Sequence, residues 1–249
     1  MDACFRKKIG IYEAIGNSLI VVSILCNFKI EGETIFGGNI MIIAIDGLGV
    51  NGKSTLAKRI AEKLNFKNFG AGAIYRCIAL IMIENNLEIE DIDKVLDLIK
   101  DIDVDFVKSK VLLNGKDVTS LIKTEEVSVK STKWATNLKI KEFVRTYQKE
   151  FIKKYDTVME GRDIATRIAP NADVKFYLYS DFETRVERLW KQDTSIDINI
   201  IRENLIKRDE LDLNCGDFIK PNDAIEINTT NYTLDEVYEI MINEINKRI

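Results

Sequence analysis

The stretch Gly47 to Thr55, G-L-G-V-N-G-K-S-T, decides the fold. It fits G-x-x-x-x-G-K-[ST], the spacing of a phosphate-binding loop. Glycines let the backbone turn where other residues cannot and bring its N–H groups against phosphate oxygens. The whole run from Gly47, Leu48, Gly49, Val50, Asn51 and Gly52 through Lys53, Ser54 and Thr55 is therefore the expected ATP-binding segment. Lys53 adds a charge that follows the outer phosphates, and Ser54 offers a hydroxyl to Mg²⁺. A helix opening here points its positive end at the same anion.

The flanks carry the reading outward. Met41 to Ile45 (M-I-I-A-I) is a short apolar run, the pattern of a buried parallel strand. Beyond the loop, Leu56, Ile60 and Leu64 recur every four residues beside Ala57 and Ala61, the pattern of a helix with one apolar face. Strand, glycine loop and amphipathic helix thus follow in the order the motif requires.

Composition sets the bounds. The 249 residues suit one α/β domain with a small insertion, and 46% hydrophobic residues suffice for a sizeable core. The net charge is -4 with no long basic block, so no nucleic-acid partner is expected. Histidine is absent, which excludes Ser-His-Asp and Cys-His chemistry and any histidine metal site. The four cysteines (Cys4, Cys26, Cys77, Cys215) are scattered without metal or disulfide spacing, and reduced thiols in a cytoplasmic protein are expected. Chemistry must then run on Lys, Arg, Asp, Glu, hydroxyls and a metal.

Residues 1-40 read as an N-terminal extension without a catalytic role. Arg6, Lys7 and Lys8 precede an apolar run, Leu19 to Cys26, that is too short to span a bilayer. No membrane association is expected. The domain proper is read as 41-249. Within it, a helix begins at about Ala73 and runs through Ile83, with Arg76 in its first turn. Glu88 to Lys100 is amphipathic and helical in pattern. Val104 to Val118 alternates around an Asn-Gly turn at 114-115, a small β-rich insertion spanning about 101-125. Thr124 to Lys154 is helical, with a break near Asn137. Thr157 to Thr166 (T-V-M-E-G-R-D-I-A-T) is a strand ending at Glu160 and a turn presenting Arg162 and Asp163, where open α/β sheets place ligands. Val174 to Tyr179 is a strand, Phe182 to Lys191 a helix, and Asp197 to Arg208 another helix leading into an exposed segment. Ala224 to Ile227 and Thr233 to Ile245 close the chain as strand and helix. The expected class is α/β: a P-loop three-layer α/β/α fold with a parallel central sheet, the β-rich insertion and a mobile lid at about 193-221. Asp46 and Glu160, at strand ends beside the loop, are candidates to hold Mg²⁺ through water.

Taken together the motifs are similar to those of bacterial cytidylate kinases, in the nucleoside monophosphate kinase family. The residues carrying this are I-D-G-x-x-x-x-G-K-S-T at Ile45 to Thr55, G-A-I-Y-R at Gly72 to Arg76 and L-L-N-G-K-D-V-T at Leu112 to Thr119. They continue with T-E-E-V-S at Thr124 to Ser128, E-G-R-D-I-A-T at Glu160 to Thr166, K-R-D-E-L-D at Lys207 to Asp212 and D-A-I-E-I-N-T-T at Asp223 to Thr230. The resemblance implies phosphoryl transfer from ATP to CMP or dCMP by a monomer, with Mg²⁺ as cofactor. By position it implies that Arg76 and Arg162 hold the acceptor phosphate. Thr132, Lys141 and Asp163 fall where the family reads cytosine, Arg208 and Asp212 would contact the sugar, and Arg188 would approach the ATP phosphates. Arg208, with Lys53, Arg162 and Arg188, makes up the expected catalytic set.

Departures from that pattern accompany it. Thr132 stands for a serine and Lys141 for an arginine, and lysine lacks the bidentate fork. Gly70 and Ala71 stand where the family has Asp followed by Ser or Thr. In the lid, Leu211, Leu213 and Cys215 occupy arginine places. Two other functions follow from these losses: a P-loop kinase for another small phosphorylated acceptor, or a nucleotide-binding protein with weakened catalysis.

Overall fold

A computed structural model describes residues 40-107, 110-214 and 218-248, together with the backbone of two short strands, β1 (Lys29–Ile30) and β2 (Glu33–Thr34), which pair antiparallel. The apolar run Leu19 to Cys26 lies outside the described residues.

The first central strand, β3 (Ile42–Asp46), is buried along nearly all its length. Its alternation distributes side chains to two cores. Ile43 and Ile45 face one helical layer with α1 (Lys53–Leu64) and α8 (Leu234–Asn246), and Ala44 faces the other. Five parallel strands make the sheet in the order β10-β9-β3-β8-β4. The others are β4 (Lys67–Gly70), β8 (Thr157–Gly161), β9 (Val174–Tyr179) and β10 (Ile225–Asn228). The second layer holds α2 (Ala71–Glu84), α4 (Glu125–Trp134) and α5 (Leu138–Ile152). This is the three-layer parallel α/β/α arrangement expected.

The insertion is a three-stranded antiparallel sheet of β5 (Val104–Val107), β6 (Lys110–Leu113) and β7 (Lys116–Asp117), preceded by α3 (Ile92–Ile99). Asn114 and Gly115 take φ of 50° and 78°, the paired positive angles of a type I′ turn. The insertion is fastened to the main sheet by aromatics: Phe69 of β4 meets Phe106 of β5 at 5.2 Å and Phe151 of α5 at 4.7 Å between ring centroids. Such tilted pairs contribute about 0.5–1.5 kcal/mol each beyond their buried area.

Two boundaries differ from the sequence reading. Lys67 to Gly70 is a strand, running through Phe69 and Gly70 where the sequence suggested a loop leading into the helix at about Ala73. It is the edge of the sheet and is recruited by pairing with β8 alone. The helix expected to stop at Arg208 runs on: after α6 (Phe182–Trp190), α7 spans Ile198–Asn214. No Gly or Pro interrupts Glu210 to Asn214, so nothing in those residues ends the helix. Asn137 does break the helical stretch as expected, its side chain accepting from the N–H groups of Lys139 and Ile140 to cap α5.

Candidate active site

The site forms where β3 turns into α1. Gly47 takes φ of 145°, and a Cβ there would stand 2.1 Å from the Leu178 carbonyl oxygen, so only glycine lets the loop leave β3 past β9. The helix α1 opens at Gly52 with no side-chain cap, which leaves its first N–H groups available to an anion. Asn51 braces the loop. Its amide donates to the Leu48 carbonyl and its side-chain oxygen accepts from Ser180 Oγ at 2.6 Å, linking the loop to the end of β9.

Lys53 is buried, and its ammonium donates to the Leu48 carbonyl at 2.7 Å. Its pKa is brought down to about 7, first by burial and then by Arg162. Glu160 opposes the shift, and Arg208 adds to it. Both guanidiniums lie over the loop. A Cβ placed on Gly49 would come within 3.4 Å of Arg208 Cζ and 3.6 Å of Arg162 Nη2. Arg208 is exposed on α7, though the residues around it strip away part of its water. That desolvation pushes its pKa below the usual guanidinium value, with Arg162 and Arg76 acting in the same direction. Cations gathered this closely at the mouth of a glycine loop are arranged for a ligand of high negative charge.

Arg162 and Arg76 are occupied meanwhile. Arg162 Nε donates to Asp212 Oδ2 at 2.8 Å, so the end of α7 is drawn across the cleft to β8. Arg76 donates to the Ile122 carbonyl at 3.1 Å, beneath the start of α4. The turn after β8 is held from below: Asp46 accepts from the N–H groups of Ile164 and Ala165 at 2.9 and 2.8 Å. Burial raises the Asp46 pKa to about 6 against the lowering effect of those two bonds.

Ser54 Oγ donates to Glu160 Oε1 at 3.0 Å. Hydroxyl and carboxylate oxygens side by side at the mouth of the loop suit a hard cation such as Mg²⁺, which takes one or two carboxylates and completes its shell with water and phosphate. Asp46, with both oxygens on backbone N–H groups, stands behind this pair. Among the described residues no group of three or more Cys, Asp or Glu is arranged as a metal cage. Gly70 has a steric place in the same spot, since a Cβ there would stand 3.3 Å from Glu160 Oε1. The missing side chain at this departure makes room for that carboxylate.

Other expected residues are held by contacts of their own. Arg188 on α6 donates to the Thr229 hydroxyl at 3.0 Å and to its carbonyl, tying α6 to the loop after β10, and it is not among the charges acting most on Lys53 or Arg208. Thr132 is exposed on α4, its hydroxyl spent on the Ser128 carbonyl one turn back. Lys141 is buried on the inner face of α5. Asp163 is approached by a residue that the motifs did not single out: Arg145, one turn beyond Lys141, donates Nε and Nη2 to its Oδ2 at 3.2 and 2.9 Å. The i, i+4 spacing from Lys141 was the available signal. Also unforeseen is the buried pair Arg185–Asp209, bidentate at 2.9 and 2.6 Å, which clamps α6 to α7 beside Arg208. Leu211 and Leu213 are exposed, and Cys215 lies outside the described residues.

A parallel α/β/α sheet with this loop at its carboxyl edge, and guanidiniums above the loop, defines a P-loop protein built to hold phosphate groups. The chain belongs to the cytidylate kinase family, whose model, described as cytidylate kinase, matches residues 43–247. It is 34% identical over 213 residues to the cytidylate kinase of Clostridium acetobutylicum, covering 83% of this chain and 98% of that one. It is 35% identical over 205 residues to that of Clostridium tetani (80% and 91%) and 33% identical over 216 residues to that of Bacillus subtilis (83% and 96%).

Proposed function

We propose that this chain transfers the γ-phosphoryl group of ATP to CMP or dCMP, giving the diphosphate and ADP. The observation that carries the reading is the convergence of Lys53, Arg162 and Arg208 over one glycine loop, in a chain of this family.

The acceptor phosphate is itself the nucleophile, so no strong base is needed and the absence of histidine is no obstacle. One acceptor oxygen forms the new bond to the γ-phosphorus as the bond to the bridging β–γ oxygen breaks, and ADP leaves. Backbone N–H groups of the loop and the start of α1 align the donor. Arg162 exchanges Asp212 for the acceptor phosphate, which releases that carboxylate toward the sugar. Arg76 closes on the same phosphate from α2. Lys53 and Arg208 neutralise charge on the transferring group, where preorganised cations act most strongly. Ser54 and Glu160 would hold Mg²⁺, with Asp46 behind them; the ion supplies charge neutralisation and orientation of the donor phosphates.

The test is an acceptor panel. Purified protein with ATP and Mg²⁺ should convert CMP and dCMP faster than UMP, AMP, GMP or TMP. Equal turnover across the panel, or none, overturns the assignment. K53A should lose transfer by at least about a thousandfold while keeping its fold by circular dichroism; retained turnover would remove the loop from the chemistry.

A further inference from the structure

Base selection in the proposed reaction needs an acceptor that faces the cytosine amino group and stays in place. The resemblance assigns part of that task to position 141, where this chain carries lysine in place of the family's arginine. A lysine ammonium is a single point charge on a flexible stem and cannot hold a carboxylate through a planar fork. The guanidinium is present all the same, one helical turn farther along α5. Arg145 lies four residues beyond Lys141, on the same stripe of the helix, and donates from both Nε and Nη2 to a single oxygen of Asp163. The pair is largely enclosed, with 22% and 17% of the two side chains exposed. Asp163 follows Arg162, so the carboxylate is adjacent in sequence to the phosphate-holding guanidinium. Among the described residues Oδ1 of Asp163 carries no hydrogen bond, while the Asp163 carbonyl is engaged separately by Arg167 N–H.

We propose that Arg145 is a positioning residue for base selection, holding Asp163 by one oxygen so that the other is presented to the pyrimidine. It supplies from position 145 the guanidinium that position 141 lacks, and the inference rests on the cytidylate reading above. A carboxylate accepts from an amino group and repels a carbonyl oxygen at the same place, so it separates CMP from UMP. Sites built on such a polar contact reject the mismatched partner by large factors, because a buried lone pair is left facing another.

The experiment compares kcat and KM for CMP and UMP in the full-length wild type, R145Q, R145K and R145Q/K141R, with thermal midpoints for each. R145Q should raise the KM for CMP about tenfold with a smaller change in kcat, and should cut the CMP-to-UMP ratio of kcat/KM by about 10–100-fold. R145K should fall between, and K141R in the R145Q background should recover part of the ratio. A purely structural role for Arg145 predicts instead a lowered midpoint with the ratio unmoved. An unchanged ratio in R145Q, in a wild type that does prefer CMP, overturns this inference and leaves the cytidylate reading standing. Should R145Q not fold, R145K decides: its ratio unchanged overturns the proposal. A wild type that turns over CMP and UMP alike overturns both.

Discussion

Lys53 shows how a single buried group carries both the binding and a pH dependence. Its ammonium rests on the Leu48 carbonyl with a pKa of about 7, so above that pH the free protein carries it largely neutral. A bound triphosphate favours the charged amine, so the complex holds more protons than the free protein in that range. Affinity for ATP should therefore fall as pH rises through about 7, approaching tenfold per pH unit. Calorimetry at pH 8 in buffers of different ionisation enthalpy should register proton uptake on binding. Proton release, or affinity independent of pH from 6.5 to 8.5, would contradict this assignment of Lys53. Folding stability carries the same group with its own sign. The folded pKa lies below the usual lysine value, so this contribution rises with pH between about 7 and the unfolded value.

At the scale of elements, α7 matters most because it delivers Arg208 and Asp212 to the cleft from a helix otherwise weakly anchored. Its apolar hold is three buried residues, Val186 of α6 with Ile201 and Leu205 of its own. To these are added the surface pair Arg202–Glu183, the Arg162–Asp212 bond and, most enclosed, Arg185 and Asp209, whose side chains are 5% and 12% exposed. Such a pair contributes modest net stability when intact, but its rupture leaves a buried charge without a partner, at about 3–5 kcal/mol. D209A should accordingly lower the thermal midpoint by roughly 10 °C and loosen Arg208, measurable by differential scanning calorimetry alongside kcat. A midpoint within 2 °C of wild type would mean that α7 is held without the Arg185–Asp209 pair.

Over the whole molecule, donor and acceptor segments come from separate parts of the chain and meet only through the sheet order. The loop follows β3, Arg76 sits on α2 beyond the edge strand β4, Arg162 follows β8, and Arg208 arrives on α7. Nucleotides bridging these parts should stabilise the fold as one unit. ATP at about a hundred times its Kd adds about 2.7 kcal/mol, a midpoint rise of roughly 5–10 °C, and CMP should add a further rise that UMP does not match. A thermal melt unmoved by either nucleotide would separate the cleft from the proposed reaction. The described residues contain no helix long and apolar enough to cross a membrane.

Residues 47-55 are legible from local chemistry alone. A glycine loop between an apolar strand and an amphipathic helix has few other uses, and the Asn-Gly turn and Asn137 cap are likewise decided by their own side chains. What the tertiary structure alone decided depends on neighbours far along the chain. Lys67–Gly70 is a strand because β8 offers it an edge, and a side chain at Gly70 would press on Glu160. Arg145 meets Asp163 because α5 packs beside the turn after β8. Periodicity records which face of an element is buried, but it does not record what that face meets, and the pairing of charges belongs to the meeting.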